Sequence, residues 1–91
     1  MKRVVVSDHA QFEAARRQVT QEEIRQVALS PEQVVSSRKG RVIHQSRVDD
    51  PGPGGKMLLR VVIEERPDVL FVVTVYKTSK VEKYWQPEVE P

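Results

Sequence analysis

Arg60, Tyr76, Lys77 and Lys80 are the residue types that metal-free phosphodiester chemistry needs. A cation must meet the charge that builds up on the phosphate oxygens, and a second group must move a proton. In RNA the 2′-hydroxyl supplies the nucleophile, so the protein need not. Other chemistries find no support in the sequence. There is no cysteine, and the two histidines, His9 and His44, lie far apart in the chain, so no metal-ligand spacing appears. Three of the four glycines fall in the proline-containing stretch DDPGPGGK, which is not a phosphate-binding loop. No GxSxG or comparable nucleophile pattern is present. Glu22-Glu23 and Glu64-Glu65 are adjacent pairs whose side chains point apart, which disfavours an acid/base couple. No metal and no cofactor is expected.

The charge distribution fits a polyanionic partner. The net charge is only +2, but residues 1–48 carry nine Lys/Arg against five Asp/Glu, and residues 49–91 carry six against eight. The stretch RKGRVIHQSR, Arg38 to Arg47, holds four basic residues and no acid, and KTSKVEK holds three lysines and one acid. Both would suit RNA, and both would also serve as solvated loop and strand charge. At 91 residues the chain makes one small domain. The basic N-terminus is followed by an apolar run too short for a signal peptide, and no run is long enough to span a membrane. A soluble cytoplasmic protein is expected.

Elements must position those residues. Arg3–Val6 is a short β-prone start. Ser7 and Asp8 can cap a helix over about residues 8–18, with Phe12, Ala15 and Val19 at helical spacing. Thr20-Gln-Glu-Glu23 is a capping-box pattern that starts a second helix at Gln21, with Ile24, Val27 and Ala28 as its buried stripe. Ser30-Pro31-Glu32 closes it or starts one further turn. Three strands follow: Arg41–Val48 (or from Val34, across a turn at Lys39-Gly40), Met57–Glu65 and Val69–Tyr76. DDPGPGGK joins the first two as a loop, and Arg66-Pro67-Asp68 turns between the last two. Val69–Tyr76 is apolar on both faces and is expected to lie centrally. VEKYW is either a last helical turn or an edge strand. The predicted order is β-α-α-β-β-β, an α+β fold with two helices on one face of an antiparallel sheet.

Alternation assigns the strand faces. Met57, Leu59, Val61 and Ile63 form one apolar face that belongs under the helices. Arg60 then stands on the opposite, open face. In Val69–Tyr76, strict alternation groups Val69, Phe71, Val73 and Val75 against Leu70, Val72, Thr74 and Tyr76. Matching polar to polar puts Arg60 across from Thr74 or Tyr76. Arg41, Gln45 and Arg47 share one face of the first strand, and His44 the other.

The residues also carry a resemblance. Ser7-Asp8-His9-Ala10, Arg16/Arg17 before Val19-Thr20-Gln-Glu-Glu-Ile24, Lys39-Gly40-Arg41, Leu58-Leu59-Arg60-Val61-Val62 and Val73-Thr74-Val75-Tyr76 resemble a small bacterial domain-of-unknown-function family. That family is grouped by fold with the BrnT and RelE/ParE toxins. The likeness covers about residues 5–85. The stretch QPEVEP is itself expected to make 86–91 a disordered tail, and the likeness implies a RelE-like domain over 1–85. It implies a toxin–antitoxin function, commonly a metal-independent endoribonuclease acting on mRNA in the ribosome, with an antitoxin protein as partner. By matching motif it makes His9, Arg60 and Tyr76 the catalytic candidates. Where the family pattern often has glycine or another small residue between the helices, this chain has Gln18, so a tighter or continuous helix junction is expected.

Arg41, Arg47, Lys77, Lys80 and Lys83 are the candidate RNA-binding cations. Tyr84 and Trp85 are the candidate partner interface. Two other readings stand beside the nuclease: a non-catalytic module that binds a protein or forms a homodimer through Tyr84/Trp85, since aromatics favour interface centres, and a nucleic-acid-binding accessory protein using RKGRVIHQSR.

Overall fold

Ser7 marks the point where the first strand becomes the first helix. Its hydroxyl accepts from the Ala10 backbone N–H at 3.0 Å and donates to the Val73 carbonyl at 3.0 Å, so one side chain caps α1 and ties it to the sheet. In the computed structural model, which describes residues 2–49 and 55–87, β1 (Arg3–Val6) leads into α1 (Asp8–Arg16) and α2 (Gln21–Leu29). The strands β2 (Gln33–Ser36), β3 (Val42–Asp49), β4 (Lys56–Glu65) and β5 (Val69–Thr78) follow, and then the single-turn helix α3 (Val81–Tyr84). The expected DDPGPGGK loop falls largely on residues 50–54, outside the described residues, as does 88–91 of the expected tail. None of the described helices is long and apolar enough to cross a membrane.

The fold is α+β, as expected, but its order is β-α-α-β-β-β-β-α, and its sheet is mixed. The strands lie in the order β1-β5-β4-β3-β2. β1 runs parallel to β5, with Val4 beside Leu70 and Val6 beside Val72, whereas every other pair is antiparallel. β5 is thus an interior strand, and β4 is the centre. The alternative start at Val34 is realised as a separate strand. The chain breaks at a tight turn over Arg38–Gly40, where Lys39 (φ 59°) and Gly40 (φ 73°) both take the left-handed conformation. Pro67-Asp68 makes the β4–β5 turn, with the Arg66 N–H 2.8 Å from the Val69 carbonyl.

The helix junction departs from expectation. α1 and α2 are separate, and Gln18 sits at φ 57° between them. A β-carbon makes that conformation costly, so Gln18 takes the position that glycine would fill without strain. Thr20 then caps α2 through the expected capping box, accepting from the Glu23 N–H at 3.0 Å while the Glu23 carboxylate accepts from the Thr20 N–H at 2.9 Å.

Both helices pack on one face of the sheet. Ile24, Val27 and Ala28 of α2 meet Leu59, Val61 and Ile63 of β4, as their spacing predicts. α1 does not bury the predicted stripe. Ala10 and Ala14 face the core with Val19, while Ala15 is exposed and Phe12 is 63% exposed beneath the Arg16 guanidinium. Two alanines one turn apart let α1 approach β5 closely, which a phenylalanine would prevent. Each fully buried Leu, Ile or Val contributes about 1.5–3 kcal/mol over its exposed state.

Candidate functional site

A β-bulge decides which side chains share the second face of the sheet. Val62 pairs with Thr74 and Ile63 with Val72, so Val73 is an extra residue in β5. Strict alternation along this strand therefore fails. Leu70, Val72 and Val75 all reach the core, and Thr74 and Tyr76 lie on the other side. Because the bulge precedes Tyr76, Tyr76 comes directly opposite Arg60, one of the two partners that polar matching allows.

On this second face one row of register partners crosses four strands: Gln33 of β2, Gln45 of β3, Arg60 of β4 and Tyr76 of β5. The row is hydrogen-bonded throughout. Arg60 Nε donates to Gln45 Oε1 at 2.8 Å, and its Nη1 donates to the Tyr76 hydroxyl. Gln45 Nε2 donates to Gln33 Oε1 at 2.8 Å and to the Tyr84 carbonyl at 3.1 Å. Gln33 Nε2 donates to the Gln86 carbonyl at 2.8 Å, and Gln33 Oε1 accepts from the Gln86 N–H at 3.0 Å. The Gln33 side-chain amide thus pairs with the Gln86 backbone much as a neighbouring strand would.

The second face was expected to be open, and here the structure corrects the prediction. After Thr78 the chain folds back across the sheet as α3, a helical turn rather than an edge strand. It lays the Tyr84 ring on Arg60, with the guanidinium carbon 4.3 Å from the ring centroid. Tyr76 meets Tyr84 edge to face at 6.3 Å and stands 5.5 Å from the same guanidinium. Arg60 is 6% exposed and Gln45 is fully buried. Next along the chain, Trp85 receives the Arg47 guanidinium at 4.3 Å.

Arg60 is a buried cation with no carboxylate paired to it among the described residues. None of the five ion pairs among the described residues includes it. Buried charges are normally paired with an opposite charge, whereas Arg60 is held by an amide oxygen, a phenol and two ring faces. Only two of its five N–H donors are used among the described residues. Arg47, by contrast, is bidentate to Glu32, at 3.2 Å and 3.0 Å. Hydrogen bonds from its guanidinium first, and from its backbone N–H second, hold the Glu32 carboxyl below the usual carboxylate range.

Of the predicted catalytic trio, the structure brings together Arg60 and Tyr76. His9 is exposed on the first turn of α1, in the helix layer, with the sheet between it and Arg60. Among the cations, Arg47 flanks the row through Trp85. Lys83 lies 5.3 Å from the Tyr84 ring, and Lys80 is exposed at the start of α3. Lys77 pairs with Leu59 and so shares the helix side of the sheet. Arg41 follows the β2–β3 turn, about 13 Å along the strand from Gln45. His44 is on the helix side, where its Nδ1 donates to the Ala28 carbonyl at 2.8 Å and serves the end of α2. Tyr84 and Trp85, the predicted partner surface, stack on the chain's own arginines. Sequence reasoning missed Gln33, Gln45 and Gln86, because an amide gives no signal until register sets it beside Arg60. Among the described residues no cluster of His, Cys, Asp or Glu could hold a metal ion.

No curated protein and no solved structure matches the chain. A family profile does match, over residues 6–77, a span that contains Arg60, Gln45 and Tyr76 and ends before α3. The chain therefore belongs to the family described as Domain of unknown function (DUF4258).

Proposed function

We propose that this is a toxin-like protein of a toxin–antitoxin pair, a RelE/ParE-like domain that engages RNA phosphate at the Arg60–Tyr76 pair and cleaves mRNA without a metal. The observation that carries the reading is the buried Arg60 guanidinium, which among the described residues has no carboxylate partner and uses only two of its donors. A planar fork of donors matches two phosphate oxygens. The Tyr76 hydroxyl, already bonded to that guanidinium, is placed to give a proton to a leaving oxygen.

The reaction would be transesterification. The 2′-hydroxyl attacks the adjacent phosphorus and loses its proton to solvent. The P–O5′ bond breaks, and the 5′-oxygen takes the phenolic proton, which water restores. Arg60 stabilises the charge on the phosphate oxygens. Arg47, Lys80 and Lys83 flank the site and would hold the backbone.

The test is induced expression in a bacterial host, wild type beside Arg60→Ala and Tyr76→Phe, following growth and mRNA integrity. Arrest with cut mRNA, lost in both variants, is the expected result. Intact mRNA and normal growth would instead favour a non-catalytic module using the same face.

A further inference from the structure

The segment that covers Arg60 is built unlike the rest of the fold. None of the α3 residues is buried, and none belongs to the hydrophobic core cluster. Its N-terminus, at Lys80, has no side-chain cap. It lies beyond residue 77, where the family match ends. Among the described residues it is held by amide bonds from Gln33 and Gln45 to the Tyr84 and Gln86 backbone, by two guanidinium–ring stacks, Arg60 on Tyr84 and Arg47 on Trp85, and by the edge-to-face contact of Tyr84 with Tyr76. Such contacts can be exchanged for water or for a ligand without dismantling an apolar core. One apolar side chain, Leu58, is fully buried on this face.

We propose that residues 81–86 are an autoinhibitory cap, which opens at the Gln33–Gln86 latch while the domain stays folded, and which in the closed state denies phosphate access to Arg60. The inhibitory part rests on the reading of Arg60 as a phosphate site; the opening does not. Tyr84 and Trp85 take on the two arginines the places that stacked nucleobases would take, so RNA and cap compete for the same guanidinium faces.

The latch can be weakened away from Arg60. Gln33→Ala removes both amide bonds to Gln86 and the bond that Gln45 donates to Gln33, and it leaves the Arg60, Tyr76 and Tyr84 side chains and the Arg60–Gln45 bond unsubstituted. Trp85 is the only tryptophan in the chain, so its emission reports the cap directly. The experiment compares full-length wild type and Gln33→Ala for Trp85 emission, thermal unfolding, and phenylglyoxal labelling of Arg60 read by peptide mass spectrometry. The expected result is a red-shifted Trp85, Arg60 labelling at least tenfold faster, and a retained cooperative unfolding transition. Unchanged Arg60 labelling in the variant, or acceleration only in step with global unfolding, would overturn the cap. Tyr84→Ala is the second variant, to be read the same way if Gln33→Ala does not fold. A single-stranded RNA oligonucleotide is then titrated into both proteins. Tighter binding by the variant supports inhibition, and equal binding overturns it. Fast labelling of Arg60 with no RNA binding by either protein would uphold the opening, overturn the inhibitory role, and sink the phosphate reading of the site.

Discussion

The two faces of this sheet are both covered, and they are covered by different physics. On the helix side, Leu59, Val61 and Ile63 meet α1 and α2 mainly through apolar contact, with hydrogen bonds from Ser7 and His44 at its edge. On the other side, Arg60, Gln45 and Gln33 meet α3 through amide bonds and ring faces. Apolar burial is non-directional and gains free energy in proportion to area. A polar row gains little net free energy per bond and loses much when one partner is missing. The first face therefore suits holding the fold, and the second suits holding one cation in one orientation. A buried guanidinium without a carboxylate is a poor way to add stability, which is the reason to look for its use in binding.

The largest effect should come from cutting the apolar face. Leu59→Ala leaves a cavity against Ile24 and is expected to cost about 2–5 kcal/mol in urea unfolding. A smaller loss than Arg60→Ala produces would reverse the ranking of the faces.

Arg60→Met comes next and sharpens the contrast. It keeps most of the side-chain volume and removes the charge, leaving Gln45 Oε1 and the Tyr76 hydroxyl without their donor. The expected cost is about 1–2 kcal/mol, small because the desolvation of the cation is also relieved. If Arg60 is the phosphate site proposed above, the variant should bind no RNA. A destabilisation as large as that of Leu59→Ala would make Arg60 a structural residue.

Gln18→Gly acts on the helix layer alone. Relief of the left-handed β-carbon is expected to add about 0.5–1 kcal/mol of stability, the reverse of most substitutions. Trp85 emission should not move; a shift would mean that the two faces are coupled.

The smallest effect concerns the rim of the polar face. The Glu32 carboxyl titrates below its unfolded value, so its stabilising contribution is complete above the ordinary carboxylate range and fades as pH falls through the lowered folded value. Glu32 is 39% exposed in this pair, so screening keeps the contribution under about 1 kcal/mol. Melting temperatures of wild type and Glu32→Gln should differ slightly at neutral pH and converge in acid. Divergence on acidification would contradict the sign.

Local chemistry was legible in the chain. The Ser7 cap, the Thr20/Glu23 capping box, the Ile24/Val27/Ala28 stripe and the Pro67 turn are set by neighbours a few residues apart, and each formed as the residues predict. The apolar face of β4 was equally plain, because alternation within one strand needs no partner. Matching polar residues across the hairpin left Arg60 opposite Thr74 or Tyr76, and the register selected Tyr76. Phe12 misled because helical spacing fits more than one face of α1, and only the closeness of β5 selected the alanines.

Contacts between residues far apart in sequence were decided by the tertiary structure. The parallel pairing of β1 with β5 places neighbours about 66 positions apart, which no local pattern encodes. The Val73 bulge shifts the parity of half a strand, and it is tied in place by the Ser7 hydroxyl from the opposite end of the chain. The cap is the clearest case. Tyr84 and Trp85 read equally well as core, edge or interface from their residue types. The Gln33 pairing with the Gln86 backbone holds residues 81–86 over Arg60. The sequence by itself determined the helix caps, the buried stripe of α2 and the apolar face of β4, because those follow from short-range propensity and period. The tertiary structure alone decided that the other face would enclose Arg60 between an amide and two rings, because that depends on register, on a bulge and on where residues 81–86 come to rest.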